Sequence, residues 1–503
     1  MLGGLILGAV VCASIGYAAG PATPIPSVKG PIPVTKDSVP FAHVWNIDLA
    51  KAGYVEEEFF ISGKANVYDY DDNKKVMVRT PDAPYTTRLL VRRPTNPRKF
   101  SGNVIVEIIN MSRGWDLDVL WQMQHEQILR SGDAYVGVTG KPNAVAALKK
   151  FDAARYGSLT WANPLPLSDP RNCATVAADS SRETENGLVW DIFSQTGALL
   201  KSAVPGRPLA GLTVRYVYGV GYSQTAAFLK AYVNAIHPLA SLADGKPVFD
   251  AYLIGAAGGP TPINQCSPRI QAGDPRFVTL PRNVPVITVM TNSDFMGGYY
   301  ARRPDSDDPG DRFRLYEIAG ASHGYTYPAT FEPSVADIQK VGFNNRYTYD
   351  CAPPRVGSDF PSHYIYNAAL VHLERWVRDG TPPPHAQLIS VVKPGAPDAA
   401  AELDQFGNAV GGVRTPYVDV PTATYFPGRL GAPAPGTAPG TAPGPCIMSK
   451  VPFDHAKLKS LYPTHADYVA KVNRDVDRLV KEGWLLPADA QQIKAEATAA
   501  KVP

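Results

Sequence analysis

The segment Tyr216-Val217-Tyr218-Gly219-Val220-Gly221-Tyr222-Ser223-Gln224-Thr225-Ala226-Ala227 has the residue types of a nucleophile on a sharp turn. An apolar run leads into Gly221, a serine follows two positions later, and a helical pattern starts at once. A serine hydroxyl attacks well when it stands clear of the surrounding backbone, and a strand–turn–helix junction holds it so. Such a turn leaves no room for a side chain two positions before the serine, which accounts for Gly221. It also makes the N–H of Gln224 a donor for a developing oxyanion, with the helix dipole in support. Thr225 stands where the pattern G-x-S-x-G has its last glycine. The plain alternative is a serine that only caps a helix. The flanking strand and the partner residues favour the nucleophile.

A serine needs a base. Of nine histidines, His323 lies in Ala319-Gly320-Ala321-Ser322-His323-Gly324, directly after the apolar run Phe313 to Ile318. From there it could take the Ser223 proton on one ring nitrogen and return it to a leaving group. The others sit in helical patterns, in the tail or beside prolines and turn residues. The acid that orients the histidine should follow the strand Pro285 to Thr291, and Asp294 does, with Asn292 expected to support it. Glu317 is the rival acid, but it lies inside the strand that leads to His323. The order serine, acid, histidine is one in which this constellation recurs. A second oxyanion donor is expected in the loop after Asn103 to Asn110, from the N–H of Met111 or Ser112. Trp115, Tyr299 and Tyr325 are the candidate pocket walls.

These residues need elements to position them. Strands are expected at Thr87 to Arg93, Asn103 to Asn110, Ala134 to Thr139, Val214 to Val220, Ala251 to Ile254, Pro285 to Thr291 and Phe313 to Ile318. Helical spacing runs through Leu117 to Arg130, Leu188 to Leu200, Gln224 to Ala235 and Tyr364 to Asp379. The alternation predicts an α/β fold, with a mostly parallel sheet covered on both faces. Three long loops, Lys141 to Ser181, Gly258 to Asn283 and Gly324 to Ser362, each follow a strand. They should gather at the carboxyl edge of the sheet as a lid or pocket wall.

Composition narrows the classes. With 49 basic and 46 acidic residues, the chain lacks the one-signed field of a nucleic-acid binder. Aromatic residues at 10% and charged residues at 19% exclude ordinary disorder. His125-Glu126 opens a zinc-protease pattern that Leu129 breaks, and Gly219-x-Gly221 lacks the third glycine of a dinucleotide loop. No metal or cofactor is expected.

Residues 1–20 read as a signal peptide, uncharged from Leu2 to Ala19, with small residues before Pro21. This predicts an exported protein without membrane contact beyond the leader; an uncleaved anchor is the alternative. Residues 21–430 form the catalytic domain. Residues 431–445 are a Pro/Ala/Gly-rich linker, and 446–503 a helical segment expected to pack back on the main body. Removing the leader removes Cys12. Cys173, Cys266, Cys351 and Cys446 remain, and the expected pairing is Cys173 with Cys266 and Cys351 with Cys446.

The chain also resembles a bacterial family described only as α/β-hydrolase domain-containing proteins. The likeness spans nearly everything after the leader. It is carried by Tyr85 to Pro94 (YTTRLLVRRP), Phe100 to Asn110 (FSGNVIVEIIN), Gly219 to Thr225, Pro304 to His323 (PDSDDPGDRFRLYEIAGASH), Ala368 to Pro383 (ALVHLERWVRDGTPPP) and Val451 to Tyr468 (VPFDHAKLKSLYPTHADY). It implies the α/β-hydrolase fold and an ester hydrolase with Ser223, Asp294 and His323 as its triad. Relatives often carry a glutamate two residues before the acid, where this chain has Asn292. The expected substrate is a small-molecule or polymeric ester. Lactone, amide or polyester cleavage on the same triad, and a non-catalytic binding protein, are the alternatives.

Overall fold

The computed structural model describes residues 22–324, 333–343, 351–395, 399–428 and 448–503. The expected leader, the linker 431–445, Tyr325 and Cys446 lie outside them. Among the described residues, no helix is long and apolar enough to cross a membrane.

The scaffold is a ten-stranded sheet. In chain order its strands are β1 (Ser27–Lys29), β2 (Tyr54–Tyr70), β3 (Val76–Pro94), β4 (Asn103–Ile109), β5 (Ala134–Thr139), β6 (Tyr216–Tyr222), β7 (Ala251–Gly255), β8 (Val286–Thr291), β9 (Ser306–Asp308) and β10 (Asp311–Ile318). Across the sheet they lie in the order β1-β2-β3-β5-β4-β6-β7-β8-β10-β9. The run from β5 to β10 is parallel throughout. The strands β1, β2 and β3 form an antiparallel flank, and β9 closes the far edge antiparallel to β10.

Central parallel strands are buried on both faces, so they read as continuous apolar runs. In β4 every residue is buried. Its Val104, Val106 and Ile108 join one core and its Ile105 the other. The first core packs α2 (Pro142–Phe151), α4 (Val189–Lys201) and α5 (Gln224–Ala231) through Leu148, Phe193 and Leu229. The second packs α1 (Val119–Ser131) and the helix His363–Asp379 through Ile128 and Leu373. The fold class expected from the sequence is therefore the one observed.

Two elements differ from expectation. The stretch from Lys141 is no bare loop: it opens with α2 and a short α3 (Ala153–Tyr156). Pro142 stands in the first turn of α2, where a missing N–H costs nothing. Ala144, Val145, Ala147 and Leu148 then bury one face. The second difference is β2, hidden in the sequence by its charges. Glu56 and Glu58 are partnered across the strands: Arg92 Nε lies 2.8 Å from Glu56 and Arg88 Nε 2.9 Å from Glu58.

The C-terminal helices share the second core. Val472, Val476 and Leu479 of His465–Glu482 and Ile493 of Pro487–Ala499 are buried there with Trp376. The fully buried Asp489 accepts from Arg130 of α1 at 2.7 Å and from Asn367 at 3.0 Å. A charged anchor of this kind ties the tail to two helices of the main body.

A second buried acid pair carries a pH dependence. Asp133 accepts from Ser101 and Asn103 on one oxygen. Its other oxygen and one oxygen of Glu374 are buried with no donor, which a proton shared between the carboxyls would satisfy. Burial pushes Asp133 up to about 6. Burial, and then the Asp133 charge, raises Glu374 well above the carboxylate range. Both folded-state values exceed those of an unfolded chain, so this contribution to stability is complete below about pH 4 and is lost as pH rises through 6 and beyond. Urea unfolding should therefore show lower stability at pH 8 than at pH 5, with this pair contributing to the fall. Glu374→Gln, whose amide can donate to Asp133, should flatten that slope; an unchanged slope would refute the shared proton.

Candidate functional site

Ser223 sits between β6 and α5 with φ 58° and ψ −118°. A non-glycine residue in this region is strained by roughly 1–3 kcal/mol and must be held by its surroundings. Several contacts hold it. The Ser223 N–H donates to the Gly255 carbonyl at 2.8 Å. A Cβ on Gly221 would lie 2.6 Å from the Thr225 carbonyl oxygen, so only glycine fits. Thr225 turns out to fasten the turn: its hydroxyl donates to the Tyr222 carbonyl at 3.1 Å and lies 3.3 Å from the Tyr222 N–H. Asn110, at the end of β4, donates its side-chain amide to that same carbonyl at 2.9 Å.

The turn brings Ser223 to His323 and Asp294. Ser223 Oγ lies 2.7 Å from His323 Nε2. His323 Nδ1 lies 2.9 and 2.8 Å from the two oxygens of Asp294. The three side chains come from the ends of β6, β8 and β10, adjacent or nearly so in the parallel sheet. The loops that carry them are fixed through backbone contacts. The His323 N–H donates to Ser293 Oγ at 2.6 Å, and the Tyr222 hydroxyl donates to the His323 carbonyl at 2.6 Å. The Tyr222 ring stands 5.3 Å from the imidazole.

The support of Asp294 differs from expectation. Asn292 accepts from the Gly320 N–H at 3.0 Å, bracing the histidine loop instead. Besides the His323 ring, the Thr291 hydroxyl donates to Asp294. Glu317, the rival acid, is engaged by Arg302 at 2.6 and 2.8 Å.

The oxyanion candidates divide. Gln224 opens α5, so its N–H has no acceptor within the helix. The Met111 N–H has no acceptor among the described residues. The Ser112 N–H is already given to Asn110 Oδ1 at 2.8 Å, so it is not available as a donor there.

Of the candidate pocket walls, Tyr325 is outside the described residues, and Trp115 and Tyr299 stand away from the cavity beside Gln224. A cavity of about 310 Å³ adjoins Gln224, and its lining contains neither Trp115 nor Tyr299. Trp115 is buried against Phe343, with ring centroids 4.7 Å apart. Tyr299 lies beneath Arg302, 5.2 Å from its guanidinium. The lining comes instead from α2's N-cap Lys141, the loop around Asp179, Trp190 of α4 and the loop Gly259 to Arg269. Sequence reasoning missed these residues individually, although two of the long loops expected to wall the pocket supply most of them. Cys173 and Cys266 are joined and staple these two loops together. The second expected pairing involves Cys446, which is outside the described residues.

A scan against family models matches the alpha/beta hydrolase domain over residues 28–495. The chain belongs to that family. No curated protein sequence matches. Among solved structures the chain is similar to the carboxylesterase of Lactobacillus plantarum, at 6% identity and TM-score 0.29, covering 50% of this chain and 89% of that one. It is also similar to a glucuronoyl esterase from Solibacter usitatus, at 10% identity and TM-score 0.27, covering 53% and 77%. A third is Thermogutta terrifontis esterase 2, at 10% identity and TM-score 0.26, covering 56% and 96%.

Burial by itself would lower the His323 pKa, but the Asp294 charge and hydrogen bond overcome it, and the net shift is upward. An NMR titration of the His323 ring should therefore give a midpoint above 6.5. In Asp294→Asn only the burial remains, and the midpoint should fall below 6.5. A midpoint that does not move would remove Asp294 as the partner that sets the charge of the ring.

Proposed function

We propose that the protein is an exported serine hydrolase that cleaves carboxylic esters through an acyl-enzyme. The observation that carries this reading is the 2.7 Å contact between Ser223 Oγ, on its strained turn, and His323 Nε2. In the proposed mechanism Ser223 attacks the ester carbonyl while His323 Nε2 takes its proton. Asp294 accepts from Nδ1–H, fixing the tautomer and stabilising the imidazolium that forms. The Gln224 N–H, with the Met111 N–H as second donor, receives the oxyanion. Each such donor is typically worth about 10²–10³ in rate. His323 then returns the proton to the departing alcohol, and a water activated by the same nitrogen releases the acid and regenerates Ser223.

Export is supported by the Cys173–Cys266 disulfide, a bond typical of oxidising compartments, together with the apolar segment before Pro21. Amino-terminal sequencing of the secreted or periplasmic protein should start near residue 20. An intact Met1 on the mature chain would contradict cleavage.

Ser223→Ala should lower hydrolysis of short activated esters by at least about 10⁴-fold and abolish labelling by a fluorophosphonate. Labelling that persists in this variant would take Ser223 out of the mechanism. An intact protein that neither labels nor hydrolyses any ester would favour a binding role.

A further inference from the structure

One side chain joins the turn at Ser223 to the loop that carries the second oxyanion donor. Asn110 follows β4 directly and is 2% exposed. Its Nδ2 donates to the carbonyl of Tyr222, the residue before Ser223, at 2.9 Å. Its Oδ1 accepts the N–H of Ser112, the residue after Met111, at 2.8 Å. A carbonyl can only accept and a backbone N–H can only donate, so one orientation of the amide satisfies both. The two backbone segments are therefore held apart by the span of a single planar group.

The bond to Ser112 closes an Asx turn, a ring through the backbone two residues on. The Met111 N–H belongs to a peptide inside that ring, so the bond that occupies Ser112 also sets the direction of the Met111 N–H. The loop is closed at its base as well. Asn110 and Leu117 exchange backbone hydrogen bonds at 3.1 and 2.7 Å, and the Gly114 N–H donates to the Met111 carbonyl at 2.9 Å. Asp116 pairs with Arg88 of β3 at 3.4 Å. These contacts fix the loop on itself and on β3. The Tyr222 carbonyl also takes the Thr225 hydroxyl, but that bond stays within the turn. The Asn110 amide is the one that crosses from the turn to the loop.

We infer that Asn110 is a positioning residue for the reaction, holding the Met111 N–H in register with Ser223 so that nucleophile and oxyanion hole are set as one unit. The inference rests on the proposed reaction at Ser223 and adds a residue outside the proton transfer. A misplacement of about 1 Å in such a unit costs on the order of 10²-fold in rate.

The test uses the full-length protein and a matched pair of substrates, phenyl acetate and phenyl thionoacetate. The second carries sulfur in place of the carbonyl oxygen. Sulfur accepts hydrogen bonds weakly, so the oxyanion donors stabilise its tetrahedral intermediate far less. In the unmodified protein kcat/KM for the ester should exceed that for the thionoester at least about tenfold. Asn110→Asp keeps an acceptor for Ser112 but loses the donor to Tyr222, and Asn110→Ser is too short to reach both. Each should lower kcat/KM for the ester about ten- to a hundredfold, and for the thionoester by less than about threefold. The ratio of the two is taken on one protein sample, so it is independent of the fraction that folds, and a variant that merely destabilises the chain leaves it unchanged. A ratio that falls by less than about threefold in either variant, or that is below about tenfold in the unmodified protein, would overturn the inference while leaving the serine mechanism standing. Failure of the unmodified protein to hydrolyse the ester would instead overturn the serine mechanism, and the inference with it.

Discussion

The structure of the site depends on holding one residue, Ser223, in a backbone conformation it would not adopt alone. A strain of roughly 1–3 kcal/mol must be met by contacts that exist only when the sheet is assembled. The Gly255 carbonyl that receives the Ser223 N–H belongs to β7. The amide that donates to the Tyr222 carbonyl comes from Asn110, beyond β4. The turn is thus gripped from both neighbouring strands of β6 at once. Each hydrogen bond contributes about 1 kcal/mol net, so two or three of them offset the strain without making the turn unusually stable. Thr225 belongs to the same set. A glycine at its position would give space but no hydroxyl to tie the turn, and the close approach is already met by Gly221.

A second constraint governs the loop after β4, which carries Met111. Asp116 and Asp118 in that loop lie 3.4 and 2.5 Å from the buried Arg88 and Arg92 of β3. The same arginines pair with Glu58 and Glu56 of β2, and Arg155 of α3 also reaches Glu58, at 2.6 Å. Buried ion pairs contribute little net stability, because desolvation cancels most of their attraction. Removing one partner, however, strands a buried charge. Such a cluster permits very few arrangements, and this suits a loop whose Met111 N–H is the proposed second oxyanion donor. Glu107 works alongside it. It accepts the Leu120 and Trp121 N–H groups at the start of α1 and the Tyr135 hydroxyl at 2.7 Å, and burial pushes its carboxyl up to about 8.

What was legible in the sequence follows from the range of the interactions involved. The parallel strands were readable because burial on both faces writes itself as unbroken apolar runs, as in Val104 to Ile109. The turn at Ser223 was readable because its geometry is local and demands glycine at 221. The chain order then indicated which acid and which histidine the sheet would bring to it. β2 was not readable, since its glutamates look like a solvated surface until Arg88 and Arg92 are placed opposite. The role of Asn292 was misjudged by one hydrogen bond, because Thr291 and Asn292 point to opposite sides of the chain leaving β8, and only the packed loop shows which reaches Asp294. The walls of the cavity were the least legible. Trp115 and Tyr299 are near the site in sequence, whereas Asn186, Trp190 and Gln265 reach it through tertiary folding.

The 48 prolines and 43 glycines acquire a physical role in that wall. Two excursions from the sheet meet at the cavity, and a covalent bond between Cys173 and Cys266 joins them across 93 residues. Such a link mainly restricts the unfolded chain, but it also sets Gln265, the next residue to Cys266, in a fixed place. Asn264, one step further back, donates to the Tyr68 carbonyl at 2.7 Å and accepts from Arg79 at 3.1 Å, so the β2–β3 hairpin braces the same loop. Lys74 at the hairpin turn pairs with Asp274 at 3.1 Å beyond it. The disulfide and the hairpin thus hold from two sides the loop that, with the stretch around Asp179, lines the cavity beside Gln224.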